Sequence, residues 1–108
     1  MNKKVFIPSI PTRWDAATES RVPSVDLNPA AKFGDLIAMS TGIGTMHDQI
    51  EEVARKAQDI TDADYILCVG DVVLTAVAIS AADRRLGTIT LLRWNKTRHA
   101  YNEVVVKL

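Results

Sequence analysis

The stretch Tyr65-Ile66-Leu67-Cys68-Val69-Gly70-Asp71, running into the almost wholly apolar Val72–Ala82, constrains this chain more than any other part of it. Five consecutive apolar or aromatic residues in a short run describe a strand covered on both faces, as parallel strands of α/β sheets are. Gly70 stops the run, and Asp71 is suited to cap a helix beginning at Val72. From there to Ala82 only Thr75 and Ser80 interrupt the apolar sequence, so this helix is expected to be the most buried one. A strand feeding such a helix commits the remaining chain to supply neighbouring strands and a second layer.

The rest of the sequence reads accordingly. Lys3–Ile7 is expected to form a short strand, ended by Pro8. Residues 8–27 read as an extended arm with the composition of a mobile segment, its Asp15–Ser20 stretch a long turn. Asn28-Pro29 opens a short helical turn that Gly34 closes. Asp35–Ser40 is a buried strand, Thr41–Gly44 a tight loop, and Thr45 with Asp48 a capping pair. Met46, Ile50, Val53, Ala54 and Ala57 then follow at helical spacing. Thr88–Asn95 and Ala100–Leu108 form a terminal hairpin joined by Lys96–His99. The expectation is one α/β domain over 1–108: a mixed sheet of about five strands, two main helices and a C-terminal β-hairpin.

Thirteen Lys and Arg balance thirteen Asp and Glu among 108 residues, which argues against a uniformly basic nucleic-acid coat. The distribution is uneven. Residues 84–108 carry six basic groups against Glu103 alone, whereas residues 48–83 carry eight acidic groups against two basic ones. Either the segments neutralise one another in the fold, or a basic surface faces an anion. The single Cys68 cannot form an internal disulfide, so no oxidising compartment is marked. No apolar run approaches membrane-spanning length, and the N-terminal residues lack a signal peptide's apolar core. A soluble, cytosolic protein is expected.

Most candidate chemistry reads as structure. Gly42 and Gly44 precede a helix, as in phosphate-binding loops, but neither a G-x-G-x-x-G nor a lysine-bearing phosphate loop is present. Asp48 in the first helical turn would repel a phosphate. Asp71 reads as a cap, and Asp62 and Asp64 make a poor metal site. Cys68 lies in an apolar strand, where a thiol is inert. His47 and His99 have no second ligand at metal-binding spacing. No metal, cofactor or catalytic residue is expected.

The most informative segment is Leu91–Tyr101, where Arg93, Lys96, Arg98, His99, Trp94 and Tyr101 crowd one hairpin. Such surfaces hold single-stranded nucleic acid: cations track phosphates and rings stack on bases, at about 1–3 kcal/mol per stack. Arg13-Trp14 forms a second basic–aromatic pair, with Lys3 and Lys4 as further cations. Strand alternation leaves open whether Trp94 is exposed or is a core anchor, and Trp14 is as consistent with packing or subunit contact. Val104-Val105-Val106 suits sheet extension across a subunit boundary, which implies a homo-oligomer.

Several short segments carry a resemblance: Val5-Phe6-Ile7, Arg13 before a polar turn, Val22-Pro23, Asp26-Leu27, Phe33-Gly34-Asp35-Leu36, Val69-Gly70-Asp71 before an alanine-rich helix, and Leu92-Arg93-Trp94 near Tyr101. Together they resemble the single-stranded-DNA-binding RNA-polymerase cofactors of podoviruses that carry a virion RNA polymerase. The resemblance implies a non-enzymatic bacteriophage protein of the host cytoplasm, oligomeric, with single-stranded DNA and a phage RNA polymerase as partners. The alternative expectation is a phage-encoded interaction module that binds a host protein through the acidic middle segment.

Overall fold

A computed structural model describes residues 3–107; Met1, Asn2 and Leu108, the last of these expected in the C-terminal strand, lie outside the described residues. In chain order the elements are β1 (Lys4–Ile7), β2 (Thr12–Asp15), β3 (Ser20–Pro23), α1 (Asn28–Ala31), β4 (Asp35–Ala38) and α2 (Met46–Lys56). A 3-10 turn over Ala57–Asp59 leads to β5 (Tyr65–Leu67), α3 (Val72–Asp83), β6 (Thr88–Asn95) and β7 (Ala100–Lys107).

Five strands form one sheet in the order β4-β1-β5-β6-β7, and β2 pairs with β3 in a separate hairpin. β4, β1, β5 and β6 run parallel, and β7 returns antiparallel along β6. The mixed sheet, the two main helices and the terminal hairpin are those the sequence leads one to expect. The segment expected as an extended arm is instead folded back on itself as β2–β3, with Thr12 opposite Pro23 and Trp14 opposite Arg21.

The chain leaves β1 toward β4 on one side and then crosses to β5 on the other. Right-handed crossovers running in opposite directions must cover opposite faces of a sheet. Accordingly, α1 packs through Ala30 on the face built from Val5, Ile7, Tyr65, Leu67, Leu92 and Tyr101. The helices α2 and α3 pack on the other face, over Phe6, Ile66 and Ile89. Successive residues of β1 and β5 thus feed two cores, which is why the run at Tyr65 shows no polar alternation.

The α3 helix has the most buried residues of the three helices, as expected, but it is covered over only part of its surface. Leu74, Ala78 and Ala82 are buried, yet Val72 is 79% exposed and Val73, Ala76 and Ser80 are also open to solvent. Only α2 flanks it, so an all-round apolar helix is covered on one side alone. Sequence composition reports what a helix tolerates, not what covers it.

Asp64 ties the entrance of β5 to β1. Its carboxylate, 7% exposed, accepts from Lys4 N at 3.0 Å, Thr61 N at 2.9 Å and Thr61 Oγ1 at 2.9 Å. These bonds satisfy the backbone donors of Lys4, at the start of β1, and of Thr61, so Asp64 has a structural role. Asp64→Ala should lower stability by about 3 kcal/mol, since hydrogen bonds to a buried charged group carry about 1.5–3 kcal/mol each and are not additive. Urea unfolding monitored by circular dichroism checks it; an unchanged midpoint would contradict the role.

A candidate nucleic-acid interface at the carboxyl edge of the sheet

Because β1, β4, β5 and β6 are parallel, their C-terminal ends and following loops gather along one edge of the sheet. The tip of β6–β7 belongs to this edge. Its four-residue loop is built by Asn95, whose Oδ1 accepts from Thr97 N at 3.0 Å and Arg98 N at 3.2 Å. His99 closes the loop in the left-handed region, at φ 50°. The loop is therefore fixed by its own side chains, and Lys96, Thr97, Arg98 and His99 all face solvent.

Behind the loop Trp94 packs edge-on against Tyr101, with centroids 5.0 Å apart, and against His99 at 6.3 Å. Trp94 is half-buried and keeps an accessible edge. Tyr101, expected to stack on bases, is only 5% exposed and is a support beneath Trp94. It pairs directly with Trp94 across the ladder and donates its hydroxyl to the Asp26 carbonyl at 3.5 Å. Burial, with the Asp26 carboxylate nearby, pushes its phenol above the ordinary tyrosine range.

Trp94 borders two concavities. One is an apolar cavity of about 260 Å³ enclosed with Val25, Asp26, Val69 and Tyr101. The other is a polar groove of about 410 Å³ formed with Arg93, Asn95, Lys96 and Asn102. The cations are uncommitted: the one ion pair among the described residues is His47–Glu51 at 3.2 Å, on an exposed helical turn. The basic C-terminal segment is thus not neutralised by direct pairing with the acidic one.

The β2–β3 hairpin repeats the same local design. Asp15 stands where Asn95 stands, accepting from Ala17 N at 3.0 Å and from the Thr18 hydroxyl at 3.2 Å, and Glu19 takes the left-handed position at φ 52°. Both turns are preceded by Arg-Trp, as Arg13-Trp14 and Arg93-Trp94. The outcomes differ, because β6–β7 is part of the large sheet and β2–β3 is not. Trp14 is 59% exposed, with no core beneath it.

Lys3 and Lys4 do not join this surface. They lie at the start of β1, at the opposite edge of the sheet, where Lys3 Nζ meets the Tyr65 hydroxyl at 3.4 Å and lies over its ring. Of the ten residues expected to contact nucleic acid, the structure groups Arg93, Trp94, Lys96, Arg98 and His99 on one tip, with Arg13 and Trp14 on a second hairpin. Sequence reasoning missed Val25, Asp26 and Val69. No local signal could have revealed them, because two separate loops bring them to Trp94.

The glycine loops are committed elsewhere. Thr45 and Asp48 form a reciprocal capping box, and Asp71 accepts from Val73 N and Leu74 N. Thr41 N donates to Glu52 at 2.8 Å and Gly42 N to Ser40 Oγ at 3.1 Å. These backbone bonds hold the Asp48 and Glu52 carboxyls below their ordinary range. Asp71 thus takes two of the amides that a phosphate would need at the start of α3, and at α2 Asp48 takes the amide of the N-cap Thr45. Among the described residues no cluster of three or more His, Cys, Asp or Glu is placed to hold a metal ion, and no helix is long and apolar enough to cross a membrane.

A family model described as phage Pam3 gp32-like protein matches residues 3–108 of the chain. No curated protein and no solved structure matches it. The match bears out the phage origin implied by the sequence resemblance.

Cys68 follows β5 at this edge, half-buried, and burial pushes its thiol above the ordinary cysteine range. Thiolate is the reactive form, so labelling of the native protein by a disulfide reagent at pH 7.5 should run about tenfold or more slower than in urea. Equal rates would mean an open, activated thiol.

Proposed function

Because the chain belongs to the phage Pam3 gp32-like family, we propose that this phage protein binds single-stranded DNA, without catalysis of its own, as a cofactor of a phage RNA polymerase. The observation that carries the DNA-binding part is the tip of β6–β7. Arg93 and Lys96 line a groove with Trp94, and these cations, with Arg98 exposed on the same loop, have no carboxylate partner among the described residues. A single strand needs phosphate-tracking cations beside a ring on which a base can stack, and duplex bases are not free to stack there. Arg13 and Trp14 give a second contact along the same edge of the sheet. Lys3 and Lys4, at the other edge, drop out of this reading. The polymerase partner rests on the sequence resemblance.

The same proposal includes a homo-oligomer. β7 is an edge strand whose outer backbone groups are unpaired by the sheet, and Val104 and Val105 are exposed on it. Edge strands of this kind invite pairing with a second copy. An oligomer brings several tips to one strand and raises avidity without new contacts.

A second reading is favoured by one feature. An apolar groove between α2 and α3, lined by Ala54, Val73, Ala76, Val77 and Ala81 and rimmed by Arg84, suits a docked host protein. It requires capture of a protein from host lysate by a chain that has no affinity for oligonucleotides.

Two measurements test the first reading. Lys96→Ala with Arg98→Ala should shallow the logarithmic salt dependence of binding, read by fluorescence anisotropy, by a slope of about 1–1.5. An unchanged slope would remove the tip from phosphate contact. Val105→Lys should shift the sedimentation coefficient toward the monomer by placing a charge on the edge strand. An unshifted value would mean that β7 is not the subunit boundary.

A further inference from the structure

A larger crevice at the same edge, independent of the tip, lies between the β2–β3 hairpin and the ends of β1 and β4. It encloses about 600 Å³, and its polar walls are Ser9, Thr12, Arg21, Ser40, Thr41 and Gln49. In doubly wound sheets ligands sit beyond the carboxyl ends of the strands, beside the point where strand order reverses. Here the order reverses between β1 and β5, and the crevice lies next to that point, beyond the carboxyl ends of β1 and β4.

The hairpin supplies the chemistry. Residues opposite one another in a ladder share a face, so Thr12, Trp14, Arg21 and Pro23 lie together. Thr12, Arg21 and Pro23 line the crevice, which places exposed Trp14 on the same side, one step nearer the hairpin tip, at the lip. Arg21 is held in place by Thr12: its Nε donates to Thr12 Oγ1 at 2.9 Å and its Nη2 to the Thr12 carbonyl at 3.1 Å. Three of its five donors have no acceptor among the described residues. A preorientated guanidinium with an open edge suits one anionic group.

We propose that this crevice binds a nucleotide unit bearing a single phosphate. The base stacks on Trp14, the phosphate meets Arg21, and the sugar lies against the hydroxyls and the amide of the floor. Arg21 is the one cation of the lining, and the amides of Thr41, Gly42, Ile43 and Thr45 are given to side-chain oxygens. One guanidinium answers one phosphate, and the lining offers no second cation to another. The same chemistry is offered by a free mononucleotide and by the 5′-phosphorylated end of a DNA strand.

With two tryptophans in the chain, Trp94→Phe makes Trp14 the sole reporter. Trp14 emission of this variant is titrated with the four deoxynucleoside monophosphates and with a short oligonucleotide with and without a 5′ phosphate. Saturable quenching by a monophosphate assigns the crevice to free nucleotides; quenching by the 5′-phosphorylated strand alone assigns it to strand ends. In either case Arg21→Ala should weaken the apparent affinity about tenfold and Arg21→Lys should restore part of it; for the monophosphates, Lys96→Ala with Arg98→Ala should leave it unchanged. No quenching by any ligand, or quenching that survives Arg21→Ala, overturns the proposal. A thermal-shift titration of the unmodified protein repeats the comparison free of the Trp94 change, and a flat response there counts equally against the site. Single-strand binding at the tip is read separately by anisotropy, so either site can fail alone.

Discussion

The parallel pairing of β1 on both of its sides is the constraint from which the rest of the molecule follows. Val5 pairs with Leu36 of β4 and with Tyr65 of β5, so four residues carry two ladders. Their side chains fill both cores, Phe6 on one face and Val5 and Ile7 on the other. Asp64 fixes the start of that strand by accepting from Lys4 N, and Ser9 fixes its end by accepting from Asp71 N at 2.7 Å. The second contact explains a glycine. Gly70 has φ 82°, and a Cβ there would stand 2.3 Å from Ser9 Oγ. The first two strand exits thus touch, and the loops of the carboxyl edge are held in one frame.

That frame decides where positive charge can act. In many parallel sheets the helix starts at the carboxyl edge bind anions through free amides. Here Asp71 takes two of those amides at the start of α3, and before α2 the Thr41 and Thr45 amides are turned onto Glu52 and Asp48. The arginines at this edge stand on the hairpins. Both hairpins rise from this edge, both carry Arg-Trp before an Asx-built turn, and both leave their arginines without a carboxylate partner among the described residues.

Much of this was legible in the sequence, and what was not has a physical reason. The capping box at Thr45–Asp48, the Asp71 cap and the terminal hairpin are local, decided within four residues by hydrogen-bonding geometry, and they read correctly. That α3 is the most buried helix read correctly too; that Val72 and Val73 stay exposed did not, because coverage depends on how many helices share a sheet face. Tyr101 could not be told from a stacking ring by composition. Only the pairing with Trp94 and the arrival of Asp26 place it underneath. Arg85 is a similar case: it lies in a basic segment yet spends its guanidinium on the Ala57 and Ile60 carbonyls at 2.8 and 2.9 Å, closing the turn between α2 and β5.

The paired hairpins show how one local sequence acquires two roles. A Trp at the residue before an Asx turn points away from the loop's own hydrogen bonds, so its surroundings are set by the neighbouring strand. Trp94 has Tyr101 opposite and Leu92 two residues before it, both buried, and is drawn half into the core. Trp14 has Arg21 opposite and Thr12 two residues before it, and nothing apolar receives it. An indole left in water on a short hairpin forgoes roughly 1.5–3 kcal/mol of burial, going by the large side chains for which such a cost is known. The turn chemistry holding that hairpin together therefore presents a ring to solvent and builds no core, and the proposed nucleotide site relies on that exposure.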